Sequence, residues 1–65
     1  MPTGTVESYL ITEGTGRIRD DDGDVLFVHH DDIEGNHMTL QHGDRVEYRI
    51  AVVDGQHKAI DVRRL

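Results

Sequence analysis

A chain of 65 residues has room for one domain with a thin core, because so short a chain leaves much of its surface in water; a two-domain reading is excluded. With no cysteine, disulfide staples, thiolate metal sites and thiol nucleophiles are ruled out together, so packed apolar side chains and sheet hydrogen bonds must hold the fold. The formal net charge of −6 argues against a generic polyanion binder, whose usual mark is an excess of Lys and Arg.

Thr5-Val6-Glu7-Ser8-Tyr9-Leu10 reads as a strand of loose alternation, with Val6 inward and Tyr9 near its end. Glu13-Gly14-Thr15-Gly16 supplies glycines for a bend. Arg17-Ile18-Arg19 is a second strand, with Ile18 on the face opposite its two arginines, and Asp20-Asp21-Asp22-Gly23-Asp24 follows as a charged, solvated hairpin turn. Val25-Leu26-Phe27-Val28-His29 is the most strand-like run, and its period of two places Leu26 and Val28 on one face and Phe27 and His29 on the other.

From His30 to Gly43 the periodicity is lost, as in a long loop with one short helical turn near Asp31 to Ile33. Its isolated apolar residues Ile33, Met38 and Leu40 are expected to plug the barrel ends. Alternation returns over 45–52, with Val46, Tyr48, Ile50 and Val52 on one side and Arg45, Glu47 and Arg49 on the other. Asp54-Gly55 marks another tight turn, and Lys58 to Leu65 forms the last strand, with Ile60 and Val62 spaced for one face.

Short strands joined by Asp-Gly and Gly-rich turns, with no helical period, imply an all-β, meandering, closed barrel of five antiparallel strands spanning residues 1–65. Closure removes the exposed strand edges that so short a chain has no helices to cover. No apolar run approaches the roughly 20 residues of a membrane span. Met1-Pro2-Thr3-Gly4 lacks the basic and apolar stretches of a signal peptide, so a soluble, cytoplasmic protein is expected. The bias toward aspartate fits a high-salt cytoplasm, where screening mutes charge repulsion, and equally a GC-rich genome.

Four stretches carry a family pattern: Gly4-Thr5-Val6 with Tyr9, Gly14, Gly16 and Ile18 at fixed spacing; Leu26-Phe27-Val28-His29-His30-Asp31-Asp32-Ile33; Leu40 through Gly43 and Val46 to Tyr48; and Ala59-Ile60-Asp61-Val62. Over nearly the whole chain they resemble the cold-shock family, whose OB-fold barrel binds single-stranded RNA or DNA. In that family a tryptophan and two phenylalanines of the first motif serve as platforms on which bases stack. Here Ser8, Thr15 and Arg17 occupy those positions, and Glu7 and Glu13 replace flanking lysines. The resemblance therefore leaves Tyr9, Arg17, Phe27, His29 and His30 as the candidate nucleic-acid-binding residues. Each stacked base is worth roughly 1–3 kcal/mol, so the lost platforms imply a weak or selective binder. Arg17 compensates in part, because a guanidinium both stacks on bases and pairs with phosphate, and the histidines can stack.

Blander readings stand beside these. An exposed Phe27 can be a single surface apolar residue, and Tyr9 can be packing over a barrel end. Of the five histidines, His29, His30, His37 and His42 form the only sequence cluster, but their spacing matches no ordered metal pattern, so solvated or base-stacking roles are expected and no metal or cofactor is assigned. The aspartate run lacks the late glutamate of a calcium loop. A barrel this small is filled by side chains, and no Gly-x-Ser-x-Gly or phosphate-binding glycine loop is present, so no catalytic residue is assigned. The expectation is a cold-shock-type nucleic-acid-binding module, a monomer or weak dimer, acting as an RNA chaperone or a regulator of transcription or translation. The alternative is a degenerate cold-shock barrel that serves as a protein-protein interaction module.

Overall fold

Among the described residues five segments form strands, β1 (Thr3–Leu10), β2 (Thr15–Asp20), β3 (Val25–His29), β4 (Arg45–Val53) and β5 (Gln56–Arg64), and one 3-10 turn covers His30–Asp32. The computed structural model describes residues 1–35 and 39–65. Neighbouring strands close a barrel in the order β1-β2-β3-β5-β4. Four of the pairings are antiparallel, and the fifth, β3 against β5, is parallel, with Phe27 opposite Lys58. The expected all-β barrel is therefore present, with one correction: the sheet is mixed and the path is not a simple meander. The long connection after β3 carries the chain across to pair β4 with β1, and β5 then returns beside β3 in the same direction, a contact extended by the parallel bridge Ile33 to Val62. Among the described residues no helix is long and apolar enough to cross a membrane.

The core is Val6, Ile18, Leu26, Val28, Ile33, Leu40, Val46, Tyr48, Ala59 and Val62. Ile33 and Leu40 join it from the long connection, as the sequence suggests; Met38 lies outside the described residues. Leu26 and Val28 point inward and leave Phe27 outside, so the alternation of β3 holds.

Two bulges displace the alternation elsewhere. In β1, Val6 pairs with Ile18 but Ser8 with Arg17, so one extra residue brings both Val6 and Tyr9 toward the core. In β5, Glu47 pairs with Arg63 but Arg49 with Ile60, and Asp61 within the bulge adopts φ 52°. Ala59 and Val62, three residues apart, are consequently both buried, and Ile60 is only half-buried, which corrects the expected shared face of Ile60 and Val62. The inward face of β4 needs the same correction. Val46 and Tyr48 are fully buried, but Ile50 and Val52 are exposed, because β4 pairs with β1 only through Arg45 to Glu47. Beyond that point β4 has β5 alone as a partner, and the two form a hairpin whose turn places Asp54 and Gly55 both at positive φ, the geometry that an Asp-Gly step favours.

One corner of the barrel is closed by a polar network. The buried Tyr48 hydroxyl donates to the Asp20 carboxylate and lies 3.1 Å from the Thr3 carbonyl, while the Asp22 N–H donates to Asp20 at 3.0 Å. Burial and then the hydrogen bond to Asp20 push the Tyr48 phenol well above its ordinary range. Arg45 grips both oxygens of Asp21 at 2.7 and 3.0 Å, and the Thr3 hydroxyl donates to the same carboxylate. These bonds, that of Arg45 foremost, hold the Asp21 carboxyl down at about 2. Asp20 is thus a buried partner of the core tyrosine and not part of a merely solvated turn. Gly4 makes room for the network: a Cβ there would lie 2.5 Å from the Arg19 carbonyl and 2.8 Å from the Tyr48 hydroxyl.

Candidate nucleic-acid interface

The outward residues of β2 and β3 meet in cross-strand pairs, Thr15 with His29, Arg17 with Phe27 and Arg19 with Val25. The Arg17-Phe27 pair extends to Ser8 of β1 on one side and Lys58 of β5 on the other, so four strands contribute to one row. Phe27 is 51% exposed at its centre. Beside the row, Thr15, Gly16, Phe27, His29, Lys58 and Val53 of the hairpin help line a concavity of about 260 Å³.

The row's electrostatics differ from those of the chain as a whole. Arg19 pairs with Glu7 at 2.7 Å, Arg45 with Asp21 at 2.7 Å and Lys58 with Asp32 at 2.9 Å. Arg63 pairs with Glu47, while Arg49 and Arg64 each lie 3.8 Å from a carboxylate. Among the described residues Arg17 is the remaining basic side chain, and it has no acidic partner. An acidic protein therefore presents its unneutralised cation next to its exposed phenylalanine.

His29 and His30 end the face. Their ring centroids are 4.2 Å apart at an interplanar angle of 35°. His29 borders the Phe27 concavity, whereas His30 lines a second one of about 330 Å³ with Tyr9, Gly14 and Thr39. Gly14 is needed there: its φ is +68°, and a Cβ would lie 2.5 Å from His30 Cδ2. Gly16 has a matching reason, since a Cβ would meet the Tyr9 ring at 2.8 Å. Tyr9 packs against the core, and burial pushes its phenol up.

Of the five residues singled out in the sequence, Arg17, Phe27 and His29 share the outward face, while Tyr9 and His30 border the neighbouring concavity. Sequence reasoning missed Lys58. Its only local signal is that it is the chain's single lysine, because a parallel pairing across a long loop leaves no trace in periodicity. The histidine cluster also differs from the one the spacing suggested. His29 and His30 converge with Asp31, their donor atoms all within 4.8 Å, whereas His42 is not in that group and His37 lies outside the described residues.

Residues 2–65 match the family model described as the 'Cold-shock' DNA-binding domain. The chain belongs to the cold-shock domain family. A relative, the cold shock-like protein CspLB of Listeria monocytogenes, is 44% identical over 57 residues, which is 86% of this chain and 83% of that protein. Cold-shock domain proteins bind nucleic acid and are not enzymes, so this cold-shock protein is a nucleic-acid-binding protein. Its departures from the family pattern fall on the face just described: Ser8 stands opposite Arg17, and Thr15 opposite His29.

Proposed function

We propose that this cold-shock protein binds single-stranded RNA or DNA, weakly or selectively, through the outward row centred on Arg17 and Phe27, with His29 at its edge and Tyr9 and His30 bordering the adjoining concavity. The observation that carries this reading is the pairing of an exposed aromatic ring with an arginine that no carboxylate neutralises. An unstacked base can lie on Phe27 while the guanidinium meets the adjoining phosphate or a second base. Duplex bases offer no such face, so the site selects open strands. Trapping open strands opposes RNA secondary structure, the action of an RNA chaperone or of a regulator of transcription or translation.

Titration of fluorescent single-stranded oligonucleotides at low salt tests the reading. Saturable binding is expected, and Phe27→Ala should weaken it by about 1–3 kcal/mol. The absence of binding up to millimolar concentration would reject it. One observation favours a second reading, a protein-interaction module: Ile50, Val52 and Val53 leave the β4-β5 hairpin with an exposed apolar surface. That reading gains if no oligonucleotide binds up to millimolar concentration, and it loses if oligonucleotides bind and Phe27→Ala weakens them.

A further inference from the structure

We infer that His29, His30 and Asp31 form an open, surface binding site for a divalent transition-metal ion at the edge of the nucleic-acid face. The two imidazoles address one carboxylate: His29 Nδ1 lies 3.5 Å from Asp31 Oδ2, and His30 Nδ1 lies 3.2 Å from Asp31 Oδ1. Bonds of about 2.0–2.2 Å in a tetrahedral set hold neighbouring donors roughly 3.3–3.6 Å apart. The two histidine-to-carboxylate separations are near that spacing and the three donor atoms all lie within 4.8 Å of one another, so exposed side chains that turn on the surface can close around an ion.

The backbone prepares these donors. His29 Nδ1 accepts a hydrogen bond from the Asp31 N–H at 3.2 Å, which puts the ring proton on Nε2 and leaves Nδ1 with a lone pair. That bond is long, and an ion on Nδ1 would replace it. The His30 N–H donates to the Gly14 carbonyl at 2.8 Å, and the bare Cα of Gly14 makes space for the His30 ring. Lys58 is drawn instead to Asp32, so it does not compete for the Asp31 carboxylate.

Two neutral imidazoles and one carboxylate form a donor set of net charge −1 in a protein of net charge −6, which favours a dication. Imidazole nitrogen suits zinc, nickel and copper, whereas magnesium and calcium favour oxygen alone. The side chains of His29, His30 and Asp31 are 44%, 44% and 70% exposed, so water can complete the coordination sphere. Such a site is exchangeable rather than structural, because its three ligands are exposed and lie outside the hydrophobic core.

Titration of tag-free protein with Zn²⁺ alone, in a non-chelating buffer near neutral pH, tests the site by NMR. The expected result is saturable one-to-one binding that shifts the His29 and His30 ring signals and leaves those of His57, on the exposed part of β5, in place. Asp31→Asn and His30→Ala should each weaken binding by about tenfold or more, while His57→Ala should not. Asp31→Asn retains the size of an exposed residue, so it remains informative if His30→Ala disturbs the packing on Gly14. Failure to saturate by millimolar Zn²⁺, or an affinity that Asp31→Asn leaves unchanged in a folded protein, would overturn the assignment. Neither result bears on oligonucleotide binding, which is read separately without metal.

Discussion

The two ends of the β1-β2 ribbon are built to opposite purposes. Where Gly4 meets Asp20, the sheet is locked: Tyr48 reaches a buried carboxylate, Arg45 clamps Asp21, and Thr3 serves both groups. Where Leu10 meets Thr15, polar groups are left facing outward, and the neighbouring surface carries Arg17, Phe27, His29 and two concavities. The closed end supplies rigidity that a small core cannot provide alone, and the open end can then change its side chains without endangering the barrel. This explains how three stacking positions of the family can become Ser8, Thr15 and Arg17 while the fold persists.

The largest expected effect follows from filling the open end. If affinity is limited by missing platforms, Ser8→Trp combined with Thr15→Phe should strengthen oligonucleotide binding by about 2–6 kcal/mol, at roughly 1–3 kcal/mol for each base gained. Fluorescence titration of the double variant measures this directly. Unchanged affinity in a folded variant would mean that bases do not pass over β1 and β2, and the comparison between the two ends would lose its functional half.

Tyr48→Phe probes the closed end. Removing the hydroxyl leaves the Asp20 carboxylate buried with one partner fewer, at a cost of about 1–3 kcal/mol in urea denaturation, while oligonucleotide affinity of the folded protein stays the same. Phe27→Ala should do the reverse, weakening binding and leaving stability within about 1 kcal/mol, because its ring is half in water. The phenol adds a pH signature. Its folded-state pKa is raised above the ordinary tyrosine value of 10.0, so its contribution is complete below that pH and declines as pH rises beyond it. Tyr48→Phe should remove that alkaline decline.

Arg17→Gln has a smaller and more specific consequence. Substituting the guanidinium should make the slope of log affinity against log salt shallower by about one contact's worth, roughly 0.7 for a single strand. An unchanged slope would show that Arg17 stacks on a base without meeting phosphate, or does not touch the ligand.

The local part of this design was readable from the chain. In β3 the alternation of Leu26 and Val28 with Phe27 survives because no bulge interrupts it, and the Asp54-Gly55 turn follows from backbone chemistry alone. What could not be read depends on closure. The extra residues in β1 and β5 shift the phase of the pattern, so Tyr9, which the sequence left between ligand face and barrel-end packing, turns toward the core, and Ala59 replaces Ile60 as the partner of Val62. Ile50 and Val52 keep their apolar alternation after the barrel wall has ended, a point marked only by where β1 stops pairing. Lys58 beside Phe27 and Asp20 beneath Tyr48 are likewise contacts between distant segments, and neither has a local periodic signature.

The gentlest probe of the closed end is acid. The Asp21 carboxyl is held at about 2, below the ordinary aspartate value of 3.8, by hydrogen bonds from Arg45 and Thr3. A group whose folded pKa is depressed contributes fully above the unfolded value and loses that contribution as pH falls toward the folded one. Stability should therefore decline between about pH 4 and pH 2, and Asp21→Asn should flatten that part of the profile while lowering stability at neutral pH. Because the carboxylate is in contact with solvent, the difference should be small and should shrink in 1 M salt, where the Debye length is about 3 Å. Urea midpoints at pH 5 and pH 2.5, at low and high salt, measure both effects. An identical acid profile in Asp21→Asn would show that the outer clamp contributes nothing, leaving the buried bond between Tyr48 and Asp20 to hold the closed end.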